Sequence, residues 1–240
     1  MLNVILNKVT INKENKEAII LKDISFHLEV KNIYTILGKN GSGKSTLLKS
    51  LTSLFDKRFY SVEGSVFYKK KDLLKLNDEE LSDIRRNEIR YVFQDPVNSF
   101  DHLKTFEYYF KNFFTKDENY IKELLNFFLL PDLQTLSQMY PYEVSGGMAQ
   151  RINLVLALAA KPKIIFLDEP TSGIDAPIAN LIILKLKEFV NEGNIVLLVT
   201  HDIDLTKKIS SKIALLSDSA LSGFYSPEEF FHIHSLIPEV

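Results

Sequence analysis

Hydrophobic positions change period along this chain. Four runs are short, largely apolar and β-branched in character: 33–37, 90–93, 164–167 and 195–199. Each leads straight into turn or motif residues. Runs too short for a helix and lacking a polar side predict strands buried on both faces of a parallel sheet. Residues 213–216 repeat the pattern and predict a fifth strand. Between several of these runs the period becomes helical. Residues 44–54 predict one helix. Residues 176–191 predict another, with Ile178, Leu181, Ile182, Leu186, Phe189 and Val190 on one face and Gly193 just beyond as a stop signal. Such strand–loop–helix alternation predicts an α/β fold whose ligands sit at the carboxyl ends of the strands.

Two regions break the alternation. Residues 4–6, 18–21, 25–30 and 64–68 read as amphipathic strands and predict a small antiparallel sheet. Residues 99–140 are helical and aromatic, with Phe100, Phe106, Tyr108, Tyr109, Phe110, Phe113, Phe114, Tyr120, Phe127 and Phe128. The plainer reading makes these rings core filler; the sharper one makes part of the surface a grip for a partner.

Composition narrows the class. At 240 residues, 45% hydrophobic and 25% charged, the chain is an ordinary globular sequence with room for one α/β domain and an inserted lobe. A net charge of −2 gives no basic field for nucleic acid. The run Lys69-Lys70-Lys71 is expected to be answered by Asp78-Glu79-Glu80 on a solvated surface. The absence of cysteine excludes disulfides, thiolate metal sites and cysteine nucleophiles. The N-terminus alternates like a strand and lacks a signal peptide's apolar core, and no apolar run approaches membrane-spanning length. A soluble, cytoplasmic protein is expected.

Chemistry enters at the strand ends. Gly38-Lys39-Asn40-Gly41-Ser42-Gly43-Lys44-Ser45-Thr46 is a phosphate loop in its required setting, after a strand and before a helix. Its amides would cradle phosphates, Lys44 would reach the β- and γ-phosphates, Ser45 would hold Mg²⁺ and Thr46 would meet the α-phosphate. The strand 164–167 ends in Asp168 and Glu169. Asp168 is placed to hold Mg²⁺ and Glu169 to polarise a water as general base. An isolated acidic pair would more simply be a cap or turn; beside a phosphate loop it is a site. Gln94 also follows a strand, where an amide can contact the metal or the attacking water. His201 follows the strand 195–199 and could bond the γ-phosphate while holding Glu169. Ser145, Gly146 and Gly147 precede a helix at about 148–160, with Ser145 as N-cap, and form a second anion site. One chain needs no second phosphate site unless it serves a nucleotide bound elsewhere.

Together the phosphate loop, Gln94, Ser145–Gly147, Asp168-Glu169, Ser172-Gly173-Ile174-Asp175 and His201 resemble the ATPase subunit of ABC transporters, in order and spacing and over essentially the whole chain. The resemblance implies a RecA-like P-loop core (36–58, 88–94 and 161–240), an antiparallel β-subdomain (1–35 and 59–70) and a helical subdomain (95–160). It implies ATP and Mg²⁺ as ligands and a sandwich dimer in which Ser145–Gly147 of one subunit completes the site of the other. Asp175 would then lie in the loop joining the two sites. The second subunit would be a copy or a paralogue, and polytopic membrane subunits would dock near Gln94 and the 95–140 lobe, on the inner face of the cell membrane. Met148 after Ser-Gly-Gly, and the segments 93–96 and 157–162, look most like the peptide and nickel importer branch. An exporter or lipid-extracting machine, or a soluble ATPase of cluster assembly, are the alternatives.

Three departures stand out. The family's adenine-stacking aromatic is missing: Phe26 reads as strand core, and Ile11 or Lys13 would cover the base. Lys31-Asn32 stand where the family usually has Gly-Glu, an expected turn change. The chain ends at Val240 without the extension and iron–sulfur cysteines of many peptide-importer ATPases, so a regulatory cluster of that type is not expected.

Overall fold

The computed structural model describes residues 1–13, 16–97, 99–113 and 117–234, and two sheets organise them. The six-stranded sheet has the order β10-β9-β3-β8-β7-β6, from β3 (Asn32–Leu37), β6 (Ile89–Val92), β7 (Ile164–Asp168), β8 (Ile195–Thr200), β9 (Lys212–Ser217) and β10 (Ala220–Leu221). All its pairs are parallel except the short edge pair β10–β9. Every residue of β7 and β8 is buried, which is why these strands show no polar face in the sequence. The second sheet is antiparallel, β2-β1-β4-β5, from β1 (Leu2–Lys13), β2 (Lys16–Leu28), β4 (Tyr60–Tyr68) and β5 (Lys71–Asp72).

Alternate residues of the parallel sheet feed two cores. Ile36, Phe166, Leu197 and Val199 face the antiparallel sheet and α1 (Lys44–Ser50). Ile165, Leu167, Val196 and Leu198 face the other way, toward α6 (Gly146–Ala159), α7 (Ala176–Asn191) and the aromatic helices. The aromatic lobe comprises α3 (Phe106–Phe113), α4 (Glu118–Phe127) and α5 (Leu133–Gln138), while α2 (Asp78–Asn87), α8 (Ile203–Ile209) and α9 (Pro227–His234) flank the sheets. Phe100, Phe106, Tyr109, Phe110 and Phe128 are buried in that lobe, so these rings are core; Tyr108 is exposed, and Phe114 lies outside the described residues.

Several boundaries differ from the expectation, each for a local reason. The helix after the phosphate loop stops at Ser50 rather than 54, because Ser53 turns left-handed (φ 50°) and the Leu54 amide reaches back to the Lys49 carbonyl at 3.0 Å. The stretches 18–21 and 25–30 are not separate strands: β2 runs through Asp23 (φ 52°), which kinks it without breaking its ladder with β1, and it ends at Leu28 rather than at residue 30. The strand 32–37 pairs with β8 and β9. Lys69 pairs with Glu88 at 2.7 Å and Asp78 with Lys57 at 3.4 Å, in place of the expected match between the basic run and 78–80. Lys31 adopts φ 64° in the turn before β3, a conformation that explains why glycine suits this position.

Candidate functional site

The parallel topology sends the ends of β3, β6, β7 and β8 to one rim, where Lys44, Ser45, Asp168, Glu169 and His201 come together. β3 ends at Leu37, and the loop that follows folds tightly onto the sheet. A Cβ on Gly38 would meet the Leu216 carbonyl oxygen and Ser42 Oγ at 2.7 Å. Gly41 (φ 81°) and Gly43 (φ 99°, capping α1) need left-handed backbone that other residues rarely adopt. Lys44 is buried and folds over its own loop, its Nζ donating to the carbonyls of Gly38 (2.8 Å) and Lys39 (3.0 Å). Ser42 Oγ is buried with no hydrogen-bond partner among the described residues, an uncommon state for a polar atom. A cleft of about 570 Å³ opens here, lined by Gly38, Asn40, Gly41, His201, Leu215 and Ser217 among others, large enough for a small-molecule ligand. Thr46 lies half-buried one residue beyond Ser45 in the first turn of α1.

Asp168 closes β7 and is almost fully buried. Ser45 donates from α1 to its Oδ1 at 2.9 Å, and Tyr91 donates from β6 to its Oδ2, also at 2.9 Å. Burial pushes the Asp168 carboxyl above its ordinary value, and the two donors oppose that rise. Burial pushes the Tyr91 phenol up as well, reinforced by the Asp168 carboxylate, so it stays protonated and donates. Ser45 and Asp168 supply hard oxygens of the kind magnesium takes alongside phosphate oxygens and water. Among the described residues there is no group of three or more His, Asp or Glu able to hold a metal ion by itself.

Glu169 sits one residue on, with φ 49°, an uncommon conformation for a glutamate and one that tends to mark functional sites. It is buried and held from three sides. Thr200 donates to Oε2 at 2.8 Å, His201 Nδ1 contacts Oε1 at 2.9 Å, and Lys44 Nζ lies 3.7 Å from Oε1. With Glu169 as carboxylate the His201 contact requires the proton on Nδ1. Thr200 Oγ1 also accepts from the Asp202 amide at 3.0 Å, which fixes the hydroxyl's direction.

The remaining residues lie around this cluster or apart from it. Gln94 is exposed after β6 and lines a second cleft with Ser45, Lys49, Phe93 and Asp168. Ser145 caps α6, accepting from the Met148 amide at 3.2 Å. A Cβ on Gly146 or Gly147 would meet nothing within 4 Å, so neither glycine is needed for packing inside this chain. None of the three lines either cleft. Asp175 is exposed and caps α7 through the Ile178 amide at 2.9 Å. Phe26 packs edge-on against Phe224 as a strand core residue; Ile11 is half-buried opposite Ala18, and Lys13 pairs with Lys16 at the end of β1. Two residues of this cluster carry no expected role: Tyr91 lies within the expected strand 90–93, and Thr200 just beyond the expected strand 195–199. Their polar atoms on strands otherwise nearly all apolar were the available signal.

The fold and the loop define a P-loop protein of the α/β class. A family model described as ABC transporter matches residues 21–172, and the chain belongs to that family. It is 31% identical over 234 residues to the oligopeptide transport ATP-binding protein AmiE of Streptococcus pneumoniae, covering 93% of this chain and 66% of that protein. It is 32% identical to the dipeptide transport ATP-binding protein DppD of Lactococcus lactis subsp. cremoris, covering 88% and 64%. The chain thus spans just under two thirds of the length of these relatives. Among solved structures, the dimeric ATP-binding cassette MJ0796 in a post-hydrolysis state with ADP and Pi matches with a TM-score of 0.80 at 27% identity, covering 94% of this chain and 98% of that one.

Proposed function

We propose that this chain binds and hydrolyses ATP as the motor subunit of a membrane importer for peptides. The observation that carries the reading is Glu169, fixed at a strand end by Thr200 and His201 and 3.7 Å from the phosphate-loop lysine. A carboxylate so placed can accept a proton from a water directed at the terminal phosphate. Lys44 would exchange its loop carbonyls for β- and γ-phosphate oxygens, and the buried Ser42 hydroxyl and the loop amides would complete the cradle. Ser45 and Asp168 would hold Mg²⁺, which when bound neutralises charge on the phosphates. His201 would steady Glu169, and Gln94 would sense the metal side of the cleft.

The open glycines at 146 and 147 fit a role outside their own subunit, completing the phosphate site of a second copy or a paralogue across a sandwich dimer. The dimeric neighbour and the peptide-transport relatives support that arrangement and the peptide class of cargo. Polytopic membrane subunits would dock near Gln94 and the helical lobe, at the inner face of the membrane. Among the described residues no helix is long and apolar enough to cross a membrane. Three parts would then divide the work: an antiparallel lobe (1–35, 59–70), a core (36–58, 88–94, 161–240) and a helical lobe (95–160).

Glu169→Gln tests the carrying observation. Turnover should fall about 10²–10⁴-fold while nucleotide binding survives. Hydrolysis at the wild-type rate would remove Glu169 from the role of base. Purification of the tagged chain from gently solubilised membranes tests the assembly, and recovery of soluble partners alone would reject the transport reading.

A further inference from the structure

The rim of the sheet holds one group that the mechanism above does not use. Tyr91 lies on β6, in register with Phe166 of β7, and its ring packs against Phe93 at 4.5 Å between centroids. From there its hydroxyl reaches Asp168 Oδ2 at 2.9 Å, while Ser45 reaches Oδ1 at 2.9 Å. One donor on each oxygen, from two different elements, fixes both the plane and the rotation of the carboxylate.

The two donors are not equivalent. Ser45 opens onto the cleft shared with Gln94 and has an oxygen to offer a cation. Tyr91 approaches from β6 and does not line that cleft, so it can orient the carboxylate without facing the cation. A cation engaging the Ser45 oxygen would leave the Tyr91 bond to Oδ2 free to persist. We propose that Tyr91 is a positioning residue for the metal site, holding Asp168 with Oδ1 turned to Ser45 and the cleft so that the divalent cation meets a preset ligand. The proposal rests on Asp168 and Ser45 being the metal residues. It also gives the strand a second task, since Gln94 stands three residues after Tyr91, just beyond the end of β6 at Val92, which ties the carboxylate's orientation to the start of that loop.

A plain alternative is that a buried phenol has simply found an acceptor. The two differ in what removal of the hydroxyl changes. Partners that orient a metal ligand typically govern about 10–100-fold in metal affinity, whereas loss of a packing contact disturbs nucleotide binding with or without metal. The experiment is binding of a fluorescent ATP analogue to wild type and Tyr91→Phe, first in EDTA and then through a Mg²⁺ titration. The expected result is affinity in EDTA within about twofold of wild type, with the Mg²⁺ concentration for half-maximal enhancement raised about tenfold or more. An unchanged Mg²⁺ midpoint would overturn the proposal. So would an equal loss in EDTA, which marks a structural role. Asp168→Asn and Ser45→Ala run in parallel separate the two layers. If neither alters the Mg²⁺ dependence, the metal assignment itself fails; if both do and Tyr91→Phe does not, only the role of Tyr91 fails.

Discussion

Glu169 combines a left-handed backbone with a carboxylate gripped at both oxygens, and the grip differs in kind at each end. His201 is half-exposed, whereas Thr200 is buried at the end of β8 with its hydroxyl aimed by the Asp202 amide. Thr200 therefore sets where the carboxylate rests. Thr200→Val keeps the shape and removes the donor, leaving Oε2 short of a bond that for a charged acceptor is worth about 1.5–3 kcal/mol. Steady-state hydrolysis should show kcat down about 10–100-fold with KM little changed, and Thr200→Ser should recover most of it. A loss confined to KM would contradict the positioning role. At this scale the sequence is most readable where spacing is dictated by the ligand: the phosphate loop, Asp168-Glu169 and His201 can be located by adjacency to strands. Tyr91 and Thr200 could not be, because their partners are set by the register of β6 on β7 and the turn of β8 toward β7, neither of which one chain's periodicity contains.

At the scale of elements, parallel strands buried on both faces leave a hydropathy signal that needs no partner to interpret, and all five expected runs became strands. The antiparallel sheet was less legible. Its strands are long, kinked and half-exposed, so alternation fades at Asp23 and at the register shift between Leu6 and Lys8, and the pattern breaks into pieces. Gly64 lies opposite that shift. Its φ is 144°, and a Cβ there would stand 2.1 Å from the Ile5 carbonyl oxygen, a contact with backbone that cannot step aside. Gly64→Ala should therefore cost about 1–3 kcal/mol or more, from strain at a position only glycine adopts easily. At this chain length that corresponds to a melting temperature lower by at least about 2–4 °C per kcal/mol. Differential scanning calorimetry of the ligand-free protein measures it, and an unchanged melting point would mean that β1 and β4 slide to relieve the contact. Lys31 shows the converse, a residue tolerated at φ 64° where the turn is open enough to accept it.

For the molecule as a whole, the decisive feature is that the phosphate loop and the start of α6 line no common cleft within one chain. The phosphate loop faces its own cleft, while Gly146 and Gly147 open α6 with nothing within 4 Å of an added Cβ. A side chain at 146 is thus harmless to the monomer, and an acidic one should favour it slightly, since a carboxylate suits the positive end of a helix. The same charge would sit against the phosphates of a nucleotide seated on a second copy. In a Glu169→Gln background, MgATP at about 100 times Kd should stabilise by roughly 2.7 kcal/mol, a rise of about 5–10 °C, with conversion to dimer by light scattering. Adding Gly146→Glu should leave nucleotide affinity and the ligand-free melting point intact, yet keep the protein monomeric and make its ATP-induced rise independent of protein concentration. Dimers that persist in Gly146→Glu would place the α6 N-terminus outside the interface. A Glu169→Gln protein that stays monomeric with MgATP would instead show that a homodimer is not the working assembly, and a paralogous partner subunit would be the arrangement to reconstitute.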